Sequence, residues 1–276
     1  MSRPIRVGAV MYDPKVSVIW EIIRDFFESH AVPMDVTFYS TYELQVVALL
    51  EGAIEIAWNS PLAWLDAQRR SADRCRAIAM RDTDRDRVTH LVARTDGPVR
   101  AVSDLRGRTM ALGAVDSPQA TLIPLGRLRQ EGLEPGRDVR IRRFDVLVGK
   151  HGDHVGGELD AFTCLQRAEA DACAMLDLNW ETWTRDGTID PKDFAVLAST
   201  SRFDHCVFTV RDDFDATSER RWLDALFAMR YDEPAHREMM DLEGLKAWMP
   251  GRTTGFAALA AAIEAERFFE RVQTNA

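Results

Sequence analysis

The sequence predicts a two-lobed α/β protein, each lobe a mixed, mostly parallel sheet flanked by helices. Three observations carry that expectation. The 276 residues suit two domains of roughly 100–150 residues each. Apolar runs of strand character alternate along the chain with segments of helical period. A strand that runs into a Ser-Pro helix start occurs twice, once in each of the two predicted lobes.

The elements follow in order. Residues 6–11 (RVGAVM) read as a buried strand ending at the turn Tyr12-Asp13-Pro14. Residues 18–29 carry Val18, Ile19, Ile22, Ile23, Phe26 and Phe27 at helical spacing. A strand at 34–39, a helix at 42–50, a strand at 54–58 and a helix at 61–68 complete the first series. Residues 81–86 are charged and turn-rich, and strand character returns at 88–94. Asp96-Gly97-Pro98 breaks the chain. The second series has a short helix at 102–105, a strand at 109–113, a helix at 118–131 and a strand near 139–144. A Gly-rich segment, a helix around 160–168 and a strand at 172–176 follow. Residues 206–211 alternate again, and the chain finishes in helices, notably at 220–229 and 257–272.

Hydrophobic residues are 46% of the chain, charged residues 29%, and the formal net charge is −9. An acidic surface argues against nucleic acid or an anionic membrane as partner, because binding phosphates in number needs basic clusters. It leaves a small anion possible, since backbone amides alone can hold one. Cys75, Cys164, Cys173 and Cys206 form no CxxC pair and read as buried thiols. No stretch approaches the ~18 apolar residues of a transmembrane segment, and no signal-peptide pattern opens the chain. The expected location is cytoplasmic as written, and periplasmic or extracellular for a processed form.

The repeated helix start is the most informative local feature. Asn59-Ser60-Pro61 and Asp116-Ser117-Pro118 each follow a strand. Ser occupies the N-cap and Pro the first helical position, where its missing N–H does no harm. Helix starts beyond the C-terminal ends of parallel strands are where open α/β sheets bind ligands, and the helix dipole there favours an oxyanion.

The run YELQVVALLEGAIEIAWNSPLAW resembles the first-lobe signature of the phosphate/phosphonate (PhnD-like) substrate-binding proteins of ABC transporters. DLRGRTMALGAVDSPQATLIP resembles their second-lobe opening, LQRAEADACAM their "D-A-G" element, and LEGLKAWMPGRTTGF their C-terminal stretch. The resemblance implies a type II periplasmic-binding fold. Lobe 1 would be residues 1–93 plus 200–276 and lobe 2 residues 94–199, with crossover strands near 88–94 and 206–211 as a hinge that closes the interlobe cleft over a ligand.

Two departures from that family stand out. Ser117-Pro118-Gln119 replaces the usual Ser-Thr-Ser, so one hydroxyl remains, and Gln119 suits a carboxylate, amide or heterocycle better than a phosphate. Residues 149–158 lengthen what is usually a short turn, adding Lys150, His151, Asp153, His154 and Glu158. Either ligand contact, acid–base chemistry or a divalent metal held by His151, His154 and Glu158 fits that composition, as does a solvated loop. No other cofactor is predicted.

The expected ligand-binding residues are Tyr12, Asp13, Asn59, Ser60, His90, Ser117, Gln119, Ala120, His151, Asp177, Asn179, Trp180 and His205. The expected function is binding of one small anionic or oxygen-rich molecule, as a solute-binding or sensing protein with an ABC permease as partner if exported. The alternative is an enzyme on the same fold, a lyase, decarboxylase or hydrolase of a small carboxylate. His90, His151, His154 and Glu158 would be its acid–base groups.

Overall fold

The computed structural model of the chain describes residues 3–151 and 157–274. It begins β1 (Ile5–Val10), α1 (Lys15–Ser29), β2 (Met34–Tyr39), α2 (Tyr42–Leu50), β3 (Ile56–Asn59), α3 (Pro61–Ser71) and β4 (Cys75–Arg81). Next come β5 (Thr89–Arg94), β6 (Thr109–Leu112), α4 (Ile123–Gln130), β7 (Arg140–Arg143), α5 (Glu158–Gln166), β8 (Ala172–Leu176), α6 (Asp177–Arg185) and β9 (Phe194–Ser199). The chain closes with β10 (Val207–Arg211), α7 (Ala216–Phe227), α8 (Pro234–Glu243), β11 (Trp248–Pro250), α9 (Ala257–Glu266) and α10 (Phe268–Thr274).

These elements form two compact units, residues 1–85 with 204–256 and residues 86–203 with 257–276. The first holds a six-stranded sheet in the order β11-β4-β10-β3-β1-β2. β1 is parallel to β2 and β3, while β10 runs antiparallel to β3 and β4. α1 covers one face of this sheet because Val16, Ile19, Trp20, Ile23 and Phe27 recur at three- and four-residue spacing and are all buried. Trp58, Phe208 and Trp222 meet beneath it, with ring centroids 4.5 and 4.7 Å apart. Fully burying side chains of this size stabilises the unit by about 2–3 kcal/mol each.

The second unit holds a five-stranded sheet in the order β7-β6-β8-β5-β9. β6 is parallel to β7 and β8, and β5 is antiparallel to both its neighbours. The two-residue period of β5 sends Leu91 and Ala93 into one core and Val92 into another, so both faces of the sheet are covered. Every residue of β8 is buried, as expected of a central strand between two cores.

The division differs from the sequence expectation in two places. β5 lies in the second unit, because its pairing is with β8 and β9. Residues 257–276 also join the second unit instead of the first. α9 packs on α4, where a Cβ at Gly126 would lie 3.5 Å from the Ala262 methyl. Arg129 and Glu266 pair there at 2.6 Å. The helix expected over 257–272 breaks at Arg267, whose φ is +48°.

Candidate functional site

In the first unit, β3 ends at Asn59, and the two-residue period places Asn59 on the same sheet face as Ala57, under α2. Ser60 caps α3, its Oγ accepting from Ala63 N at 3.1 Å. Gln45 of α2 donates through both protons of Nε2, to Trp58 O and to Asn59 Oδ1, each at 2.8 Å. Gln45 and Asn59 are both completely buried. Asn59 Nδ2 and Gln45 Oε1 have no hydrogen-bond partner among the described residues. Sequence analysis missed Gln45. The signal was there, since Tyr42, Gln45, Val46 and Leu49 form one buried stripe with a single amide in it.

Tyr12 is half-buried against the core of this unit. Asp13 is exposed and its Oδ1 accepts from Lys15 N at 2.8 Å, a turn at the start of α1. His205 is buried in a polar cluster. Its Nδ1 lies 3.6 Å from Asp84 Oδ1 and 3.1 Å from Cys206 Sγ. Asp84, His205 and Cys206 bring their possible metal-ligating atoms within 4.8 Å of one another. The charge a metal would supply is already provided by Arg81, which grips Asp84 through Nε at 2.6 Å and a terminal nitrogen at 2.8 Å. Arg81 also donates to Glu243 Oε2 at 2.9 Å.

In the second unit, β6 leads to Ser117, completely buried, with Oγ accepting from Ala120 N at 3.1 Å. The helix expected from Pro118 starts as a single π-type turn over Pro118–Leu122 before α4. Pro124 explains this. It has no N–H for Ala120 O and its ring crowds that carbonyl, so the turn widens. The Ala120 carbonyl then accepts from Gly113 N at 3.3 Å, and that of Gln119 from Thr89 Oγ1 at 2.8 Å. Gln119 and Ala120 are both fully buried.

At the end of β8, Asp177 Oδ2 lies 3.6 Å from Arg87, and Asn179 Nδ2 donates to Glu158 Oε2 at 2.8 Å. His90 on β5 is half-buried, with Nδ1 2.9 Å from Ser199 Oγ and its ring edge-on to Trp180 at 6.2 Å. Burial lowers the His90 pKa, partly offset by Asp177 and Glu181, which favours the neutral ring. Thus Asp177, Asn179, Trp180 and His90 gather around one strand end.

Glu158 does not lie in a solvated loop. It opens α5 after Gly157, whose φ is +79° and whose Cβ, if present, would sit 2.3 Å from Phe144 O. That close approach turns Glu158 inward, completely buried, where Oε2 also accepts from Leu176 N at 2.8 Å. Burial pushes its pKa up to about 7, against the pull of the Asn179 and Leu176 bonds. Both bonds fall on Oε2, while Oε1 is buried with no hydrogen-bond partner among the described residues. His151 is buried with φ of +55°, and Lys150 is half-buried. His154 lies outside the described residues.

A cavity of about 370 Å³ in the first unit is lined by Leu50, Arg70, Arg74, Arg211, Asp212 and Asp213 among others. It opens at the opposite end of the sheet from Asn59, since Arg211 pairs with Cys75, the first residue of β4. Two of its arginines serve helix ends, and Arg70 pairs with Asp66 within α3. Arg211 donates to Leu49 O at 2.6 Å and Arg74 to Ser71 O at 2.9 Å. The cavity is therefore better explained by capping than by ligand binding.

The family described as ABC transporter, phosphonate, periplasmic substrate-binding protein matches residues 11–256. XAC2383 from Xanthomonas citri bound to ATP is similar in structure with a TM-score of 0.76 at 17% identity, covering 96% of this chain and 98% of that one. PhnD1 from Prochlorococcus marinus (MIT 9301) in complex with methylphosphonate gives 0.71 at 13% identity, covering 95% and 98%. The periplasmic aliphatic sulphonate binding protein SsuA from Escherichia coli gives 0.61 at 14% identity, covering 99% and 94%. At these identities the likeness is one of fold. An uncharacterized protein of Haemophilus influenzae is 47% identical over 38 residues, 14% of this chain, and the chain spans about half (54%) of that curated relative's length.

Proposed function

The chain belongs to the phosphonate family of ABC-transporter periplasmic substrate-binding proteins, with their two-lobed type II fold, and from that membership we propose that it captures one small oxyanion for delivery to a permease. The observation that carries this reading is the recurrence, in each unit, of a parallel strand ending at a buried Ser N-cap followed by Pro. Such ends gather polar groups at the positive end of a helix. Asn59 directly precedes Ser60, and the fully buried Gln119 follows Ser117 by two residues. The Ser117 oxygen accepts from Ala120 N and keeps its own proton to donate.

The ligand we propose is a small carboxylate, ahead of a phosphonate. Pro118 supplies no N–H, and the second unit offers one hydroxyl at this helix start. A dianion loses more from missing donors than a monoanion does. His90 and Trp180 would supply a neutral, partly apolar wall for the rest of the molecule. Asp177 is paired with Arg87 and would contribute less negative charge than its carboxylate alone. The family description and the expected permease partner favour the periplasmic location of the two that the sequence left open. Membership of a binding family also leaves the lyase, decarboxylase or hydrolase reading without support.

Titration calorimetry with acetate, lactate, methylphosphonate and methanesulfonate tests the proposal. One-to-one binding of a carboxylate, at least tenfold tighter than methylphosphonate, is expected. Tighter binding of methylphosphonate would overturn the carboxylate preference. Binding unchanged in Asn59→Leu would remove the first unit's helix start from this reading, and binding unchanged in Ser117→Pro would remove the second unit's.

A further inference from the structure

We infer that Gln45 sets the ligand preference of the first unit by fixing which end of the Asn59 amide is left over for the ligand. The inference rests on the proposed placement of Asn59 at the ligand. A primary amide is ambivalent, because one end donates two protons and the other accepts. Which end faces a ligand decides whether a carboxylate or an ammonium group is welcome.

The network around Gln45 removes that ambivalence. Trp58 O is a backbone carbonyl and can only accept. Gln45 must therefore turn its Nε2 toward it, at 2.8 Å. The second Nε2 proton points at Asn59, so Asn59 must answer with Oδ1, again at 2.8 Å. Turning the Asn59 amide over would set two N–H groups against each other. The order of the chain, carbonyl to Gln45 to Asn59, thus forces Asn59 Nδ2 away from α2.

That nitrogen is completely buried and has no partner among the described residues. Buried donors left without an acceptor are rare in native proteins and call for an explanation. Asn59 also precedes the Ser60 cap of α3, so a ligand oxygen accepting from Nδ2 would lie beside the positive end of that helix. At Asn59 the arrangement thus offers a donor, suited to an oxyanion or carbonyl oxygen, and no acceptor for a cation. Gln45, which need not touch the ligand, is the positioning residue.

A double-mutant cycle in the full chain separates positioning from a general effect on folding. The probe is whichever of acetate, lactate and methylphosphonate the wild type binds best. Asn59→Leu is expected to weaken binding about 30-fold or more, and Gln45→Leu about 10-fold. The double variant should bind no worse than Asn59→Leu alone, because Gln45 acts only through Asn59. Losses that multiply would overturn the positioning role, as would unchanged binding in Gln45→Leu. Unchanged binding in Asn59→Leu would instead overturn the placement of Asn59 at the ligand.

A crystal structure of the chain as purified, and again after soaking in the same probe, decides the matter without affinities. The expected result is Gln45 Nε2 bonded to both Trp58 O and Asn59 Oδ1, with an oxygen of the probe accepting from Asn59 Nδ2. A protein acceptor on Nδ2, or a water there that the probe does not displace, would overturn the inference.

Discussion

Asp84 in the first unit and Glu158 in the second are both carboxyls taken out of water, and they respond in opposite directions. Burial alone would raise Asp84, but the Arg81 charge, its two hydrogen bonds and His205 outweigh it and hold the group well below the usual carboxylate range. Glu158 meets only neutral donors, Leu176 N and Asn179 Nδ2, with Asp177 adding like charge nearby. Burial wins there, and the pKa reaches about 7. The lesson is that depth of burial fixes the cost, while a full opposite charge in contact fixes the sign. Glu158 is built to hold a hydrogen-bond geometry at the end of β8 with little charge, where Asp84 is built to hold a charge.

The largest effect should come from breaking the compensated pair. Arg81→Met leaves Asp84 and Glu243 buried without their cation and should cost about 3–5 kcal/mol in urea unfolding at pH 7. The Asp84 contribution is present above its unfolded pKa and is lost as pH falls through its depressed folded value. The penalty of Arg81→Met should therefore shrink in acid.

Glu158 carries the reverse sign. Its folded pKa lies above the ordinary 4.5, so its contribution is complete below that value and disappears as pH rises through about 7. Glu158→Gln keeps an acceptor for Leu176 N and Asn179 and removes the titration. It should raise stability at pH 8 by up to about 3 kcal/mol, do little at pH 4, and flatten the wild-type decline between them. A wild-type profile level from pH 4 to 8 would break the comparison.

Gln45→Glu moves a carboxyl into the corresponding place on α2, opposite the Trp58 carbonyl instead of a donor. Destabilisation of about 2 kcal/mol is expected at pH 8, falling as the pH is lowered, by denaturant titration. The smallest effects sharpen the likeness of the two helix starts. Ser60→Ala and Ser117→Ala should each cost about 1 kcal/mol in thermal unfolding. A much larger loss at one of them would mean that its hydroxyl also serves a neighbour.

Much of the strand and helix pattern was legible because its causes are local. α1 follows from its apolar stripe and the two caps from Ser-Pro. β4 was not legible, for CRAIAMR is made largely of helix formers. It is a strand because β10 and β11 pair with it from more than a hundred residues downstream. α6 escaped because only Trp183 of its nine residues is buried, leaving almost no apolar stripe to read. Of the expected site residues, Asn59 ends β3, and Ser60 and Ser117 cap the helical turns that the two Ser-Pro pairs predicted. The burial of Glu158 was not legible, since its inward turn depends on Gly157 passing against Phe144 O, a contact that spacing cannot show. His205 likewise joined the Arg81–Asp84 cluster through long-range packing.

The route of the chain through the two units has a consequence for synthesis. Residues 204–256 return to the first unit and 257–276 return to the second, so neither can be finished as a contiguous stretch. β10, which joins β3 to β4 in the first sheet, is made after the whole of the second sheet. Glu266, the buried partner of Arg129, comes later still. A growing chain therefore carries the open flanks of β3 and β4 through more than a hundred further residues of translation. Until β10 is made, neither flank has its sheet partner.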